Sequence, residues 1–168
     1  MKKKIGLLCA TVAIALLSEA QHIVQWRFDR TGAYKETNLL KTWPADGLPL
    51  LWHYDGLGEG HSSVAVSTSG KLYVTGMTDG TGFIYAFDAT GKLLDKKAYG
   101  PEWDKSYNGT RGTVTPDNGK LYLISGLGDI VCLNESDLSI VWKKNMLTDF
   151  DGLNITWGIC ESPLIVGD

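Results

Sequence analysis

The chain has 168 residues, of which 43% are hydrophobic and 21% charged, and its net charge is −3. Its only run of basic residues is Lys2-Lys3-Lys4, so the rest of the chain carries no electrostatic footprint for nucleic acid or an anionic membrane surface. The three cysteines and three histidines are scattered, and none stands at the spacing of a metal site.

The first elements concern targeting. Behind the three lysines comes an apolar run of 13 residues, Ile5 to Leu17. A membrane-spanning helix needs roughly 20. Ser18-Glu19-Ala20 then places small residues at the −3 and −1 positions of a cleavage site. Residues 1–20 therefore read as a secretory signal peptide cleaved after Ala20, with an uncleaved anchor as the alternative. Cys9 lies too early, inside the apolar run, to be a lipid-attachment cysteine. Cleavage removes three Lys and one Glu and leaves 13 basic and 18 acidic residues, a net charge of −5. The expected mature protein starts at Gln21, has no transmembrane segment, and is periplasmic or extracellular.

Residues 21–49 read as an entry segment without strand signals, and Leu50 to Tyr54 as a single outer strand. Then the chain repeats itself. Gly70-Lys71-Leu72-Tyr73-Val74 recurs 49 positions later as Gly119-Lys120-Leu121-Tyr122-Leu123. Around each copy stand four short segments rich in Val, Ile, Leu, Tyr and Phe. In the first unit, 62–98, they are Val64–Ser67, Lys71–Gly76, Phe83–Asp88 and Leu93–Ala98. In the second, 112–146, they are Thr113–Thr115, Lys120–Ser125, Asp129–Asn134 and Ile140–Asn145. Ser-Gly, Asp-Gly, Thr-Gly, Asn-Gly and Leu-Gly pairs punctuate them, which predicts strands joined by tight hairpins. A third unit begins at Trp157 and runs to Asp168, with Ser162 standing 49 positions after Thr113.

Four antiparallel strands at this period describe one blade of a β-propeller, and internal repetition implies stacked blades. The expected fold is thus all-β, a propeller of four-stranded antiparallel blades. Residues 50–168 would supply about two and a half of them, with 50–54 as the outer strand of the closing blade. Propellers close with about 4–8 blades. The expectation is therefore an incomplete N-terminal part of a longer chain of ~340–390 residues. Trp142, on the last strand of the second unit, is expected to pack between blades.

The repeat resembles that of the pyrroloquinoline-quinone-like propeller proteins, which include quinoprotein alcohol dehydrogenases and the outer-membrane assembly factor B type. The family pattern runs roughly Ala-x-Asp-x-x-Thr-Gly-Lys-x-x-Trp. Ala86-Phe87-Asp88-Ala89-Thr90-Gly91-Lys92 matches it, but Asp95 takes the place of the Trp one residue early. Cys132 to Trp142 keeps the spacing and the Trp and loses the Thr-Gly-Lys. The entry segment, with Trp26-Arg27, Glu36-Thr37, Trp43-Pro44 and Leu50-Leu51-Trp52, is also similar to the start of secreted members. Two departures matter. The adjacent Cys-Cys pair that the dehydrogenases carry beside the quinone is missing, and so is the lipid-attachment cysteine of the assembly factor.

Cys132 and Cys160 are either bonded, which export permits, or two buried thiols. Asn108, Asn134 and Asn154 begin glycosylation triplets of a kind common by chance. Gly56 to Gly60 is not followed by a helix, so it is no phosphate cradle.

Long connections at 55–61, 99–111 and 147–161 place the candidate site at the mouth of the expected channel. His61, Arg111 and Glu161 enter first strands there, accompanied by Trp103 and Trp157. Such a mouth suits a carboxylate, a sugar or a peptide. The plainer reading makes Arg111 and Glu161 an interblade ion pair and the Trp residues packing groups. The expectation is a non-enzymatic binding or scaffold module, with a protein, small-molecule or glycan ligand and no catalytic residues or metal. The alternative that the resemblance implies is a dehydrogenase of alcohols or sugars, with pyrroloquinoline quinone and calcium in the full-length protein.

Overall fold

The computed structural model describes residues 27, 31–34 and 37–166. The expected signal peptide lies outside the described residues. Eight strands form two four-stranded antiparallel sheets, each in the order of the chain. The first sheet holds β1 (Ala65–Val66), β2 (Leu72–Thr78), β3 (Thr81–Phe87) and β4 (Leu93–Pro101). The second holds β5 (Thr115–Asp117), β6 (Lys120–Ile124), β7 (Asp129–Asn134) and β8 (Ile140–Asn145). Among the described residues there is no helix, and none long and apolar enough to cross a membrane.

Turn chemistry sets the register. Asp79-Gly80 and Asn118-Gly119 have positive φ at both positions, 50° and 71°, and 43° and 72°. This is the two-residue turn whose twist matches that of the flanking strands. It closes the pairs Thr78↔Thr81 and Asp117↔Lys120. Between β3 and β4, Asp88 takes the N–H groups of Thr90 and Lys92 on its carboxylate. Those bonds, with that from the Thr90 hydroxyl, hold the Asp88 carboxyl below its usual range. From the last pair Leu133↔Ile140 the β7–β8 connection is one residue longer than that from Phe87↔Leu93, and in it Leu138 adopts φ 53°. A non-glycine residue is strained there. Leu138 is only 1% exposed, and burying such a side chain contributes roughly 1.5–3 kcal/mol, enough to offset the strain.

Period-two alternation gives every strand two faces. In the first sheet Leu72, Val74, Tyr85 and Phe87 share one face, and Tyr73, Ile84 and Ala86 share the other. The second face packs on Leu121, Leu123, Val131 and Leu133 of the second sheet, forming the main core. The first face is covered by Tyr54 and Leu57. The two copies of the repeated phrase thus turn the same way: Leu72 and Val74 face the chain before them, and so do Leu121 and Leu123. Polar ties ring this apolar contact. Ser69 and Tyr73 donate to Glu135, Lys143 to the Tyr99 carbonyl, and the Gly126 N–H to Glu102.

The described residues bear on several further expectations. Residues 50–54, expected in a closing blade, have no ladder partner among the described residues, and their aromatic rings lie on the first sheet. Trp52 stacks on Phe87 at 6.2 Å, and Tyr54 meets Phe87 edge-on at 4.9 Å. Trp142 does not pack between the sheets. Its register with Tyr122 and Cys132 puts it on the face turned away from the first sheet, 42% exposed and 6.2 Å from Tyr122. Cys132 and Cys160 are not bonded, and only Cys132 is buried. Residues 157–166 carry no ladder hydrogen bonds of a strand, although they run beside β5.

Candidate functional site

The site grows from three chain segments that lie side by side, each at the start of one repeat. Residue pairs 48 to 50 positions apart link them. The Ser63 N–H donates to Thr113 Oγ1 at 3.1 Å, and the Thr113 N–H donates to Ser162 Oγ at 2.9 Å. Thr115 Oγ1 donates to the Pro163 carbonyl at 2.8 Å, and the His61 N–H to the Thr110 carbonyl at 2.7 Å. Short hydroxyl side chains take the place of a β-ladder here, since the three segments run in one direction and hold only an isolated parallel bridge, Gly60↔Thr110. Gly112 permits the approach: a Cβ there would stand 2.5 Å from the Glu161 carbonyl oxygen.

At the head of these segments opens a cleft of about 280 Å³ lined by His61, Ser63, Arg111, Thr113, Cys160, Glu161 and Ser162. Three of the five residues singled out in the sequence, His61, Arg111 and Glu161, meet in it. Trp103 and Trp157 do not line it. Trp103 is buried at 5% exposure, with its indole N–H on the Ser106 carbonyl, and serves as a packing group. Trp157 is 51% exposed and forms a tilted pair with Tyr107, ring centroids 5.6 Å apart.

Arg111 is held from behind. Its Nη2 donates to the carbonyls of Ser106 at 2.8 Å and Tyr107 at 2.7 Å, and its guanidinium lies 5.8 Å from the centre of the Trp103 ring. Its Nη1 reaches only the Cys160 sulfur, at 3.9 Å. His61 Nε2 stands 3.3 Å from the same Tyr107 carbonyl. The expected ion pair between Arg111 and Glu161 is not formed: among the described residues Lys143 pairs with Asp129, and His53 Nε2 stands 3.4 Å from Asp55. Glu161 is exposed. The backbone explains the separation, because the carbonyls of Ser106 and Tyr107 draw the guanidinium toward its own loop.

Glu102 supports the loop that carries Arg111, and sequence reasoning missed it. Standing just after Gly100-Pro101, it reads as one more loop carboxylate. It is 2% exposed and accepts hydrogen bonds from Tyr99 Oη at 2.7 Å, from the Trp103 N–H at 2.9 Å and from the Gly126 N–H. Burial raises its pKa; the three donors and the nearby Arg111 charge offset only part of that. The Tyr99 hydroxyl is pushed up well beyond its ordinary value by its own burial and by this carboxylate. At the opposite end of the three segments, Glu135 lines a second cleft, of about 260 Å³, with Ser67, Thr115 and Asp117. Burial alone would raise the Glu135 pKa. Hydrogen bonds from Ser69, Ser67 and Tyr73 and the charge of Lys71 outweigh it, so the carboxyl sits below its ordinary range.

No family model matches the chain, and no curated protein matches it.

The donor set of the cleft differs from what the calcium and quinone implied by the resemblance would need. Calcium takes about 6–8 oxygen ligands. The cleft offers one carboxylate, Glu161, with a guanidinium lining the same space. Among the described residues no group of three or more His, Cys, Asp or Glu could hold a metal ion. These residues do not fit a calcium–quinone pair, and no reaction step through it is assigned to them.

Proposed function

We propose that the two sheets are blades of a β-propeller of the pyrroloquinoline-quinone-like kind, and that the protein is an exported, non-enzymatic binding or scaffold module. The propeller reading is supported by the same-sense stacking of the two sheets and by the side-by-side run of the three inner segments. Export rests on the basic start, apolar run and small-residue site of residues 1–20.

One observation carries the binding reading. An arginine pinned by two carbonyls and an aromatic ring keeps an edge toward an open cleft, in which the only carboxylate does not neutralise it. A side chain held this way loses little freedom when a ligand arrives, which is where binding energy is otherwise spent. Ser63, Thr113 and Ser162 also line the cleft.

The test is a ligand-induced thermal shift of the full chain against α-amino acids, short carboxylates, monosaccharides and tripeptides. A ligand at a hundred times its Kd stabilises by about 2.7 kcal/mol, a shift of several degrees. At least one class is expected to shift the wild type and to lose that effect in the double variant Arg111→Lys, Glu161→Gln. A panel in which no class shifts the wild type overturns the reading.

A further inference from the structure

Arg111 and Glu161 line one cleft without touching each other, and this bears on what the cleft takes. Their charges are opposite and come from adjacent inner segments. Neither has an ion-pair partner among the described residues. Arg111 is kept from swinging toward Glu161 by the carbonyls of Ser106 and Tyr107 and by Trp103. A cleft that held only an anion would gain from having no carboxylate in it; a cleft for a neutral sugar would have no use for a fixed guanidinium. Two opposite charges kept apart at the walls of about 280 Å³ match a ligand that carries both charges itself.

A second feature stands at the edge. The Tyr107 carbonyl holds both His61 Nε2 and Arg111 Nη2. The ring of Tyr107, 70% exposed, pairs with Trp157, 51% exposed. An apolar surface therefore flanks the charged cleft.

We propose that the cleft binds a free α-amino acid with an apolar or aromatic side chain. This rests on the binding-module reading and names its ligand class. The carboxylate is met by Arg111 Nη1, the ammonium by Glu161, and the side chain lies along the Tyr107–Trp157 pair. Ser63, Thr113 and Ser162 complete the lining, and the Thr113 and Ser162 hydroxyl oxygens already accept backbone N–H groups.

The experiment is calorimetric titration of the full chain with L-phenylalanine, with phenylpropanoate, which lacks the ammonium, and with phenethylamine, which lacks the carboxylate. Phenylalanine is expected to bind at least about tenfold more tightly than either analogue. In Glu161→Gln its advantage over phenylpropanoate is expected to vanish, and in Arg111→Gln its advantage over phenethylamine. Arg111→Gln also releases two carbonyls and can unsettle the loop. Glu161→Gln alters an exposed side chain that holds no other, so it remains a clean reading. Phenylpropanoate binding the wild type as tightly as phenylalanine overturns the zwitterion and leaves a simple anion site. Monosaccharide binding without phenylalanine binding overturns it as well, with the binding module intact. Absence of binding across the wider panel overturns both.

Discussion

Replacing Glu102 by Ala should loosen the contact between the two sheets and the loop behind the cleft together. The carboxylate is 2% exposed and accepts from the Tyr99 hydroxyl and from the N–H groups of Trp103 and Gly126. Alanine leaves three donors without an acceptor. A buried donor left unsatisfied costs about 1–3 kcal/mol, so the expected loss is about 3 kcal/mol if water reaches the gap and more if it does not. Glu102→Gln keeps one acceptor oxygen for the two backbone N–H groups, and Tyr99 Oη can turn to accept from the amide, so its loss should stay near 1 kcal/mol. The pH dependence separates the two further. Burial raises the folded pKa of Glu102 above its unfolded value near 4.5. Its contribution is therefore complete below that value and fades as pH rises through the folded pKa. The wild type should lose stability across that window relative to Glu102→Gln, which has no such titration. Urea unfolding at several pH values measures both effects. An alanine variant within about 0.5 kcal/mol of wild type at pH 7 would refute the argument.

Two glycines test different physics. Gly119 has φ +72° and open space around a would-be Cβ, so Gly119→Ala should cost only the left-handed backbone penalty, about 1–2 kcal/mol, and leave the cleft as it is. Gly112→Ala drives a Cβ to 2.5 Å from the Glu161 carbonyl oxygen and should displace residues 159–163, abolishing ligand binding while the two sheets persist in circular dichroism. The cysteines should differ in rate: mass-spectrometric mapping after brief alkylation of the native chain should find Cys160 modified well before Cys132, because Cys132 is buried and its thiol pKa is raised by that burial. Equal rates would contradict the packing of the second sheet.

Strand positions follow from local rules up to the points where distant segments compete for the same backbone groups. Asp129–Asn134 and Ile140–Asn145 are strands with the bounds expected from alternation and turn residues. β4 continues past Ala98 to Pro101 because β3 begins at Thr81 and offers it partners to the end. β5 starts two residues after Thr113, since Thr113 donates its N–H to Ser162, 49 residues on, and its Oγ1 accepts the N–H of Ser63, 50 residues back. Nothing local to Thr113 announces that choice. Leu50–Tyr54 has strand-like composition but no partner to pair with, so its rings found an apolar face instead.

The candidate site was legible in one respect. The 49-residue period aligned the entries to the inner segments, and so drew attention to His61, Arg111 and Glu161 together. That two of them would stay apart was not legible, because it depends on the carbonyls of Ser106 and Tyr107 reaching the guanidinium first. Glu102 was hidden for a similar reason: its donors come from Tyr99, Trp103 and Gly126, and only the packing of one sheet on the other brings Gly126 to it.

By itself the sequence determined the all-β class, the hairpin turns and the direction in which each sheet shows its two faces, since these depend on residues a few positions apart. The tertiary structure alone decided which polar groups meet across 24 to 50 residues, namely Gly126 with Glu102 and Ser63 with Thr113. Such contacts are selected by the free energy of the whole packed arrangement, in which a donor takes the nearest acceptor that burial leaves it, and no local pattern encodes that choice.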